Sequence, residues 1–153
     1  MHKHLCRLSS VWVRSPIYYV TVCTFNRQPI LACHACAAIL IREWQNAYEQ
    51  RGWKIGAYVI MPDHVHFLCT PTQEALSLSI FVGSWKEWTA KTIQKVTTDV
   101  KRVWQKEFFD HVLRNEESYQ EKLAYIWNNP VRAGLVEHQD TWPFFGHVHF
   151  DNI

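Results

Sequence analysis

Two strand-like runs with almost nothing between them most constrain what this chain can fold into. Residues 53–61 (WKIGAYVIM) and 64–70 (HVHFLCT) are rich in β-branched and aromatic residues, which favours strands. Only Pro62 and Asp63 separate the two runs, so they meet in a tight antiparallel connection or at a kinked edge. A plan of alternating parallel strands and helices is therefore not expected.

Strand-like and helical patterns continue along the rest of the chain. Further strands are predicted over residues 17–24 and 103–113, and helices over residues 35–51 and 74–96, the latter as one helix or two. Gly52 stands where a helix stop is expected. The resulting order predicts an α+β fold with a mostly antiparallel central sheet and packed helices.

A last helix is predicted after residue 114. Asn115 or Ser118 would cap its start. Its end is expected near Asn128, because the residue before Pro130 avoids the helical region.

The charge of the chain is unevenly distributed. Its 16 Lys and Arg residues and 14 Asp and Glu residues leave a net charge of +2. Residues 1–42 hold five basic and no acidic side chains, residues 43–106 hold eight and six, and residues 107–153 hold three and eight. A fold that joins the first two parts would present a positive face of the kind that binds phosphate backbones, and ordinary solvated charge is the alternative.

Composition limits the protein classes that remain. Hydrophobic residues make up 48% of the chain and charged residues 20%, as in a globular domain. No stretch approaches the ~20 apolar residues of a membrane helix, and residues 1–16 do not resemble a secretory signal, so a cytoplasmic location is expected. Cys33 and Cys36 form a CxxC without a second pair, which favours structural cysteines over a metal or redox site.

Two histidines in the second of the paired strands are candidate metal ligands. Alternation along a strand sends His64 and His66 to one face and Val65 to the other, so two imidazoles can meet one ion. Histidines that only line a surface or form hydrogen bonds would show the same pattern. A zinc hydrolase site is less favoured, because Leu68 occupies the position two residues on where an aspartate would stand.

A tyrosine and an asparagine in the last predicted helix are a second candidate group. Tyr125 and Asn129 share a helical face if the helix continues that far. An amide oxygen is a suitable ligand for Mg²⁺ or Mn²⁺ beside two histidines. Core packing and a routine helix stop are the alternative interpretation.

Four runs carry a resemblance to a known family: residues 18–27 (YYVTVCTFNR), 58–68 (YVIMPDHVHFL), 103–115 (VWQKEFFDHVLRN) and 125–136 (YIWNNPVRAGLV). In this order they resemble the single-tyrosine HUH transposases, and within them the REP-associated tyrosine transposases. The resemblance implies a ferredoxin-like or RRM-like HUH nuclease fold over residues 17–145. Residues 1–16 would form an N-terminal extension and residues 146–153 a C-terminal tail.

The same resemblance implies a chemistry. His64, His66 and Asn129 map onto the metal ligands, with Mg²⁺ or Mn²⁺ as the ion and no other cofactor, and Tyr125 rather than Tyr119 maps onto the nucleophile. The implied activity is cleavage and rejoining of single-stranded DNA, at hairpin-forming repeats, through a 5′-phosphotyrosine. A nucleic-acid-binding domain without catalysis and a phosphoesterase without a covalent tyrosine are the alternatives.

DNA contacts are expected from basic side chains together with aromatic stacking. The candidate phosphate contacts are Lys86, Lys91, Lys95, Lys101 and Arg102. The candidate stacking residues are some of Trp85, Trp88 and Trp104. The division of charge along the chain predicts a positive groove beside a site whose own helix is acidic. The family implies either a homodimer or a monomer.

Two further features receive no role in the site. His111 lies in one of the matching runs but maps onto no function. The second HVHF, at residues 147–150, lacks the Ser or Thr that paired-histidine phosphoesterases carry after each histidine. It is interpreted as a chance repeat or a tail strand.

Overall fold

A computed structural model of the chain describes residues 16–150. Its strands are β1 (Ile17–Cys23), β2 (Trp53–Ile60), β3 (His64–Pro71), β4 (Phe109–Leu113) and β5 (Phe145–His147). Its helices are α1 (His34–Arg51), α2 (Leu78–Val96) and α3 (Glu116–Arg132). The predicted N-terminal extension lies outside the described residues except for Pro16, as do the last three residues of the predicted tail.

The five strands form one sheet in the order β4-β1-β3-β2-β5, and every neighbouring pair is antiparallel. The tight connection predicted between β2 and β3 is confirmed: the Met61 N–H donates to the His64 carbonyl at 2.8 Å across Pro62 and Asp63. The predicted α+β class with an antiparallel sheet is therefore confirmed. No helix among residues 16–150 is long and apolar enough to cross a bilayer.

The two faces of the sheet are covered by different helices. Helices α1 and α2 pack on one face, where Phe67 of β3 joins Trp44 and Trp85 in a large aromatic core. Helix α3 packs on the other face, where Ile126 joins a smaller cluster that includes Leu68 of β3. Alternation along β3 therefore turns His64 and His66 toward α3.

Helix ends follow local signals where these are strong. Gly52 ends α1 with a φ of 77°, a left-handed conformation that glycine adopts without a Cβ clash, as its position in the sequence predicts. The Ser77 hydroxyl accepts a hydrogen bond from the Ile80 N–H and starts α2, which is one helix rather than two.

The strand predicted over residues 103–113 is shorter than expected. Only Phe109–Leu113 forms a ladder with β1, and Trp104 makes a single bridge to Thr24. The Trp104 ring is buried, and its indole N–H donates to the Thr89 hydroxyl of α2 at 3.0 Å. Packing against α2 thus holds this segment away from the sheet.

The predicted end of α3 near Asn128 is wrong. Asn115 caps the helix as expected, accepting from the Ser118 N–H at 2.9 Å, but the helix runs through Pro130 to Arg132. Pro130 has no N–H and so makes no bond to the Ile126 carbonyl, but it lies close to the end of the helix, where few turns remain to be disrupted. The chain still closes the last turn, with the Ala133 N–H donating to Asn129 at 3.0 Å.

Candidate active site

His66 lies on β3, between β1 and β2, on the face covered by α3. The side chains around it determine which ring nitrogen is available to a ligand. The hydroxyls of Tyr19 and Thr21, both from β1, lie 2.9 and 2.8 Å from its Nδ1. Tyr19 also stacks on the imidazole, with ring centroids 5.2 Å apart. Since these partners occupy Nδ1, the other nitrogen, Nε2, remains for a ligand.

Burial keeps His66 neutral. The side chain is 7% exposed, and burial, followed by the positive charges of neighbouring groups, lowers the pKa of His66 to about 3. A neutral imidazole is the form that binds a metal ion.

His64 is oriented by a chain of charged partners. Its Nδ1–H donates to one Asp63 carboxylate oxygen at 2.8 Å, and the Arg27 Nε–H donates to the other at 2.9 Å. Burial lowers the pKa of His64, and although burial acts to raise the pKa of Asp63, its bonds from Arg27 and His64 hold that pKa below its usual value. His64 is therefore also neutral near pH 7, with its Nε2 free.

Arg27 reaches Asp63 from a strained turn. It lies at the end of the 3-10 turn Phe25–Arg27 with a φ of 51°, and Asn26 before it has a φ of 55°. Left-handed conformations are uncommon for residues other than glycine and cluster at functional sites. The loop that follows β1 thus places a cation beside His64.

Tyr125 completes the site from above the sheet. Its ring is 43% exposed and lies edge-on to His66, with centroids 5.7 Å apart, while the His64 and His66 centroids are 4.8 Å apart. Tyr119, the other tyrosine of α3, is completely buried, so exposure favours Tyr125 as the reactive residue.

Asn129 follows Tyr125 by one turn on the same helix. Because α3 continues past it, the two residues share a helical face, as the sequence requires for a joint site. The Asn129 side chain is 8% exposed. Imidazole nitrogens are ligands for borderline ions such as Zn²⁺, and an amide oxygen is a ligand for Mg²⁺ or Mn²⁺, so these three side chains combine both kinds of donor.

Positive charge surrounds Tyr125. The Arg132 guanidinium lies 3.8 Å from the centroid of its ring, and the Lys122 ammonium lies 5.5 Å from it. The acidic residues of α3 are Glu116 and Glu117 in the first turn and Glu121, four positions before Tyr125. The helix is therefore acidic over its first part, and Lys122 and Arg132 are the basic residues beside the tyrosine.

The predicted DNA-binding residues are not beside Tyr125. Lys86, Lys91 and Lys95 lie on α2, which covers the opposite face of the sheet. Lys91 is 3.3 Å from Glu87, and the Lys86 ammonium donates to the Lys106 carbonyl at 2.9 Å.

Lys101 and Arg102 follow α2 and are exposed. The Arg102 guanidinium lies 4.6 Å from the Phe25 ring centroid, and the Gln28 amide donates to the Arg102 carbonyl at 2.5 Å. Of the five predicted cations, Arg102 is thus joined to the loop that carries Arg27.

Two of the three candidate stacking residues are core residues. Trp85 is 2% exposed and Trp104 is 5% exposed, so neither presents its ring to a base, and Trp88 is left as the candidate among the three. Trp88 is 47% exposed, with the Lys91 ammonium 4.6 Å from its ring centroid.

The remaining sequence features lie outside the site. His111 is exposed on β4. His149, in the second HVHF, accepts from the Ile55 N–H at 2.9 Å and contacts Tyr48 of α1, so this pair does not join His64 and His66. The exposed Cys33 caps α1 by accepting from the N–H of the buried Cys36, a structural role.

Sequence reasoning did not identify the residues that orient the histidines or flank the tyrosine. Tyr19, Thr21 and Arg27 come from the first strand and its loop, and no local pattern links them to His64 or His66. Lys122 could have been found, because a position three before Tyr125 lies on its side of a helix, whereas Arg132 lies beyond the end that the sequence predicted for this helix.

The sequence of this chain is similar to those of REP-associated tyrosine transposases. A REP-associated tyrosine transposase of Escherichia coli K12 is 33% identical over 99 residues, which is 63% of this chain and 55% of that protein. A putative REP-associated tyrosine transposase of Haemophilus influenzae is 26% identical over 117 residues, 68% of this chain and 66% of that protein. The chain thus spans about half to two thirds of the length of these relatives.

Solved structures give the same picture of the fold. The structure of a REP-associated tyrosine transposase bound to a REP hairpin superposes with a TM-score of 0.73 at 25% identity, covering 85% of this chain and 75% of that one. A putative transposase from Deinococcus radiodurans R1 superposes with a TM-score of 0.56 at 20% identity, covering 74% and 90% of the two chains, and supports the fold alone.

The family assignment rests on a match over most of the chain. The family model described as "Transposase IS200 like" matches residues 13–129, which contain His64, His66, Tyr125 and Asn129. The chain therefore belongs to the IS200-like transposase family.

Proposed function

We propose that the protein is a single-stranded DNA endonuclease and strand transferase that acts through a covalent bond to Tyr125. The observation that carries this proposal is the approach of an exposed tyrosine ring to within 5.7 Å of His66, beside a second neutral histidine. A phenol next to two imidazoles fits nucleophilic attack on a phosphate, with the imidazoles available to hold a divalent cation.

The step proposed for Tyr125 is a transesterification. Its hydroxyl oxygen attacks phosphorus, and an oxygen–phosphorus bond to the tyrosine forms as the bond to the 3′ oxygen of the preceding nucleotide breaks. The proton lost by the tyrosine is balanced by the proton gained on the leaving 3′-OH. Because the phosphotyrosine keeps the energy of the phosphodiester, a 3′-OH can reverse the step without ATP.

His64, His66 and Asn129 are the residues that would hold Mg²⁺ or Mn²⁺. When bound, such an ion supplies Lewis-acid polarisation of the phosphate. The task of the chain is to present both Nε2 atoms: Tyr19 and Thr21 hold the His66 ring, and Asp63 holds the His64 ring.

We propose hairpin-forming single-stranded DNA as the partner and the cytoplasm as the location. The hairpin bound by the solved relative supports this choice of DNA. Arg27, Lys122 and Arg132 provide positive charge at the site, and Arg102 extends it along the loop after β1. Lys86, Lys91, Lys95 and Lys101 are proposed as further phosphate contacts away from the reacting tyrosine.

The test is formation of a protein–DNA adduct. The protein is incubated with single-stranded hairpin DNA and Mn²⁺ and then run on a denaturing gel. We expect an adduct with the unsubstituted chain and none with Tyr125→Phe. Tyr48→Phe is the matched control, because Tyr48 is similarly exposed, at 46%, but lies on α1.

Three results would contradict the proposal. An adduct that persists in Tyr125→Phe would show that another residue is the nucleophile. Cleavage without any adduct would favour a phosphoesterase, and DNA binding without cleavage would favour a domain that only binds nucleic acid.

A further inference from the structure

Arg132 is held against the proposed nucleophile by two separate contacts. Its guanidinium carbon lies 3.8 Å from the centroid of the Tyr125 ring, and its Nη2 donates to the Tyr125 backbone carbonyl at 2.7 Å. Both contacts are to one residue, although the arginine is seven positions further along the chain. Such a guanidinium is pre-positioned rather than free to sample the solvent.

The geometry of α3 explains how the side chain reaches so far. Residues 125 and 132 are about two turns apart and share one side of the helix. Side chains on a helix point back toward its N-terminus, so an arginine in the last turn extends over the turn before it. Tyr125 is therefore within reach of Arg132.

Two cationic side chains, Arg132 and Lys122, lie beside the Tyr125 ring, so this position favours an anion. The Lys122 ammonium lies 5.5 Å from the Tyr125 ring centroid and 4.8 Å from that of Tyr19. The Tyr125 ring, 43% exposed, leaves this position open to a ligand from solvent.

A guanidinium binds phosphate and carboxylate groups through paired N–H bonds, and the DNA proposed for this site carries phosphates. The five N–H donors of the guanidinium can form two parallel bonds to a phosphate, and the bond to the Tyr125 carbonyl accounts for one donor. An ammonium lacks this planar fork and does not stack in the same way.

We infer that Arg132 binds the non-bridging oxygens of the phosphate that Tyr125 attacks, so that one side chain holds both the nucleophile and its target. This inference rests on the proposed function, since it assigns a substrate contact within that site.

The first experiment measures binding without chemistry. Each variant is made in a Tyr125→Phe background, which keeps the aromatic ring but cannot form the covalent bond. Affinity for a single-stranded oligonucleotide in EDTA is measured against salt concentration. Loss of one phosphate contact lowers the slope of log K against log salt by about 0.7. We expect this change for Arg132→Gln and a slope close to the parent for Arg132→Lys.

Arg42→Gln is the matched control for this measurement. It makes the same chemical change at an exposed position on α1, which packs on the other face of the sheet. Its slope should stay at the parent value, and the thermal unfolding midpoint of each variant identifies any loss of fold.

The second experiment measures adduct formation with Tyr125 intact. At saturating DNA and Mn²⁺ we expect Arg132→Gln to slow the step about 100-fold, since removing one donor to developing charge costs about 10²–10³ in rate. Arg132→Lys should give an intermediate rate, and Arg42→Gln the unsubstituted rate.

The outcomes separate this inference from the proposed function. If the unsubstituted chain forms no adduct, the proposed function is wrong and the inference falls with it. If the chain forms an adduct and Arg132→Gln leaves either the salt slope or the rate unchanged, only the inference is wrong. Equal salt slopes for Arg132→Lys and Arg132→Gln would also overturn the inference, because the positive charge at position 132 would then not contribute to DNA binding.

Discussion

The two faces of the sheet differ in what their side chains do. On the face covered by α1 and α2, Trp44 is completely buried and stacks on Trp85 with ring centroids 5.2 Å apart. On the face covered by α3, the apolar cluster is smaller, and His66 and the exposed Tyr125 stand beside it. The face covered by α1 and α2 thus supplies most of the apolar burial. This stabilisation offsets the free-energy cost of burying polar groups on the face covered by α3.

Adjacent residues of β3 show this division most directly. Phe67 packs against Trp44 with ring centroids 5.1 Å apart, while His66 points to the hydroxyls of Tyr19 and Thr21. A strand buried on both sides can therefore present chemistry on one side without weakening the core on the other.

The largest effect on stability is expected from the aromatic face. Trp44→Ala should lower the free energy of unfolding by about 3–5 kcal/mol, because a fully buried tryptophan leaves a cavity. Urea denaturation monitored by circular dichroism measures this change in the free energy of unfolding. Within residues 16–150 the Trp44 indole N–H has no hydrogen-bond partner, so Trp44→Phe, which removes that donor, should cost much less.

This prediction also tests the separation of the faces. At temperatures where Trp44→Phe remains folded, its adduct formation per folded molecule should match that of the unsubstituted chain. A clear loss of activity with retained fold would mean that the aromatic core also positions the site.

An intermediate effect is expected at the polar face. Asp63→Asn removes the carboxylate that accepts from His64 and should weaken Mn²⁺ binding about 10-fold, in the range of about 10–100-fold found for outer-shell partners of metal-bound histidines. Isothermal titration calorimetry of the whole protein with Mn²⁺ gives the affinity. Asp99→Asn, at an exposed position after α2, is the control. An unchanged Mn²⁺ affinity in Asp63→Asn would show that this carboxylate does not orient His64 for metal binding.

The smallest effect is expected at the start of α3. Asn115→Ala removes the side chain that accepts from the Ser118 N–H and should cost about 1 kcal/mol of stability. Asn115→Asp keeps an accepting oxygen and should cost little. Thermal unfolding compares the two, and equal losses would mean that the contribution of Asn115 is not capping.

Much of the fold could be predicted from local patterns. The short connection through Pro62 and Asp63 correctly predicted an antiparallel pair, and Gly52 and Asn115 mark helix ends as expected. The prediction that α3 ends near Asn128 was wrong, because it treated Pro130 as a helix stop. The structure shows that the helix tolerates one missing hydrogen bond in its last turn.

The candidate site was predictable in its reactive residues but not in its surroundings. His64, His66 and Tyr125 were found by spacing and by resemblance, and the structure brings their rings together. The sequence did not distinguish the buried Trp85 and Trp104 from the exposed Trp88, because a tryptophan that can stack on a base follows the same sequence pattern as one that fills a core.

The sequence by itself determined what depends on the period of a strand or a helix. Alternation turns His64 and His66 one way and Val65 the other, and helical spacing sets Lys122 on the side of Tyr125. Only the tertiary structure decided that Arg27 meets Asp63 across 36 positions and that α3 covers the histidine face. These contacts depend on how a whole sheet and three helices bury their apolar surfaces together, which no local pattern specifies.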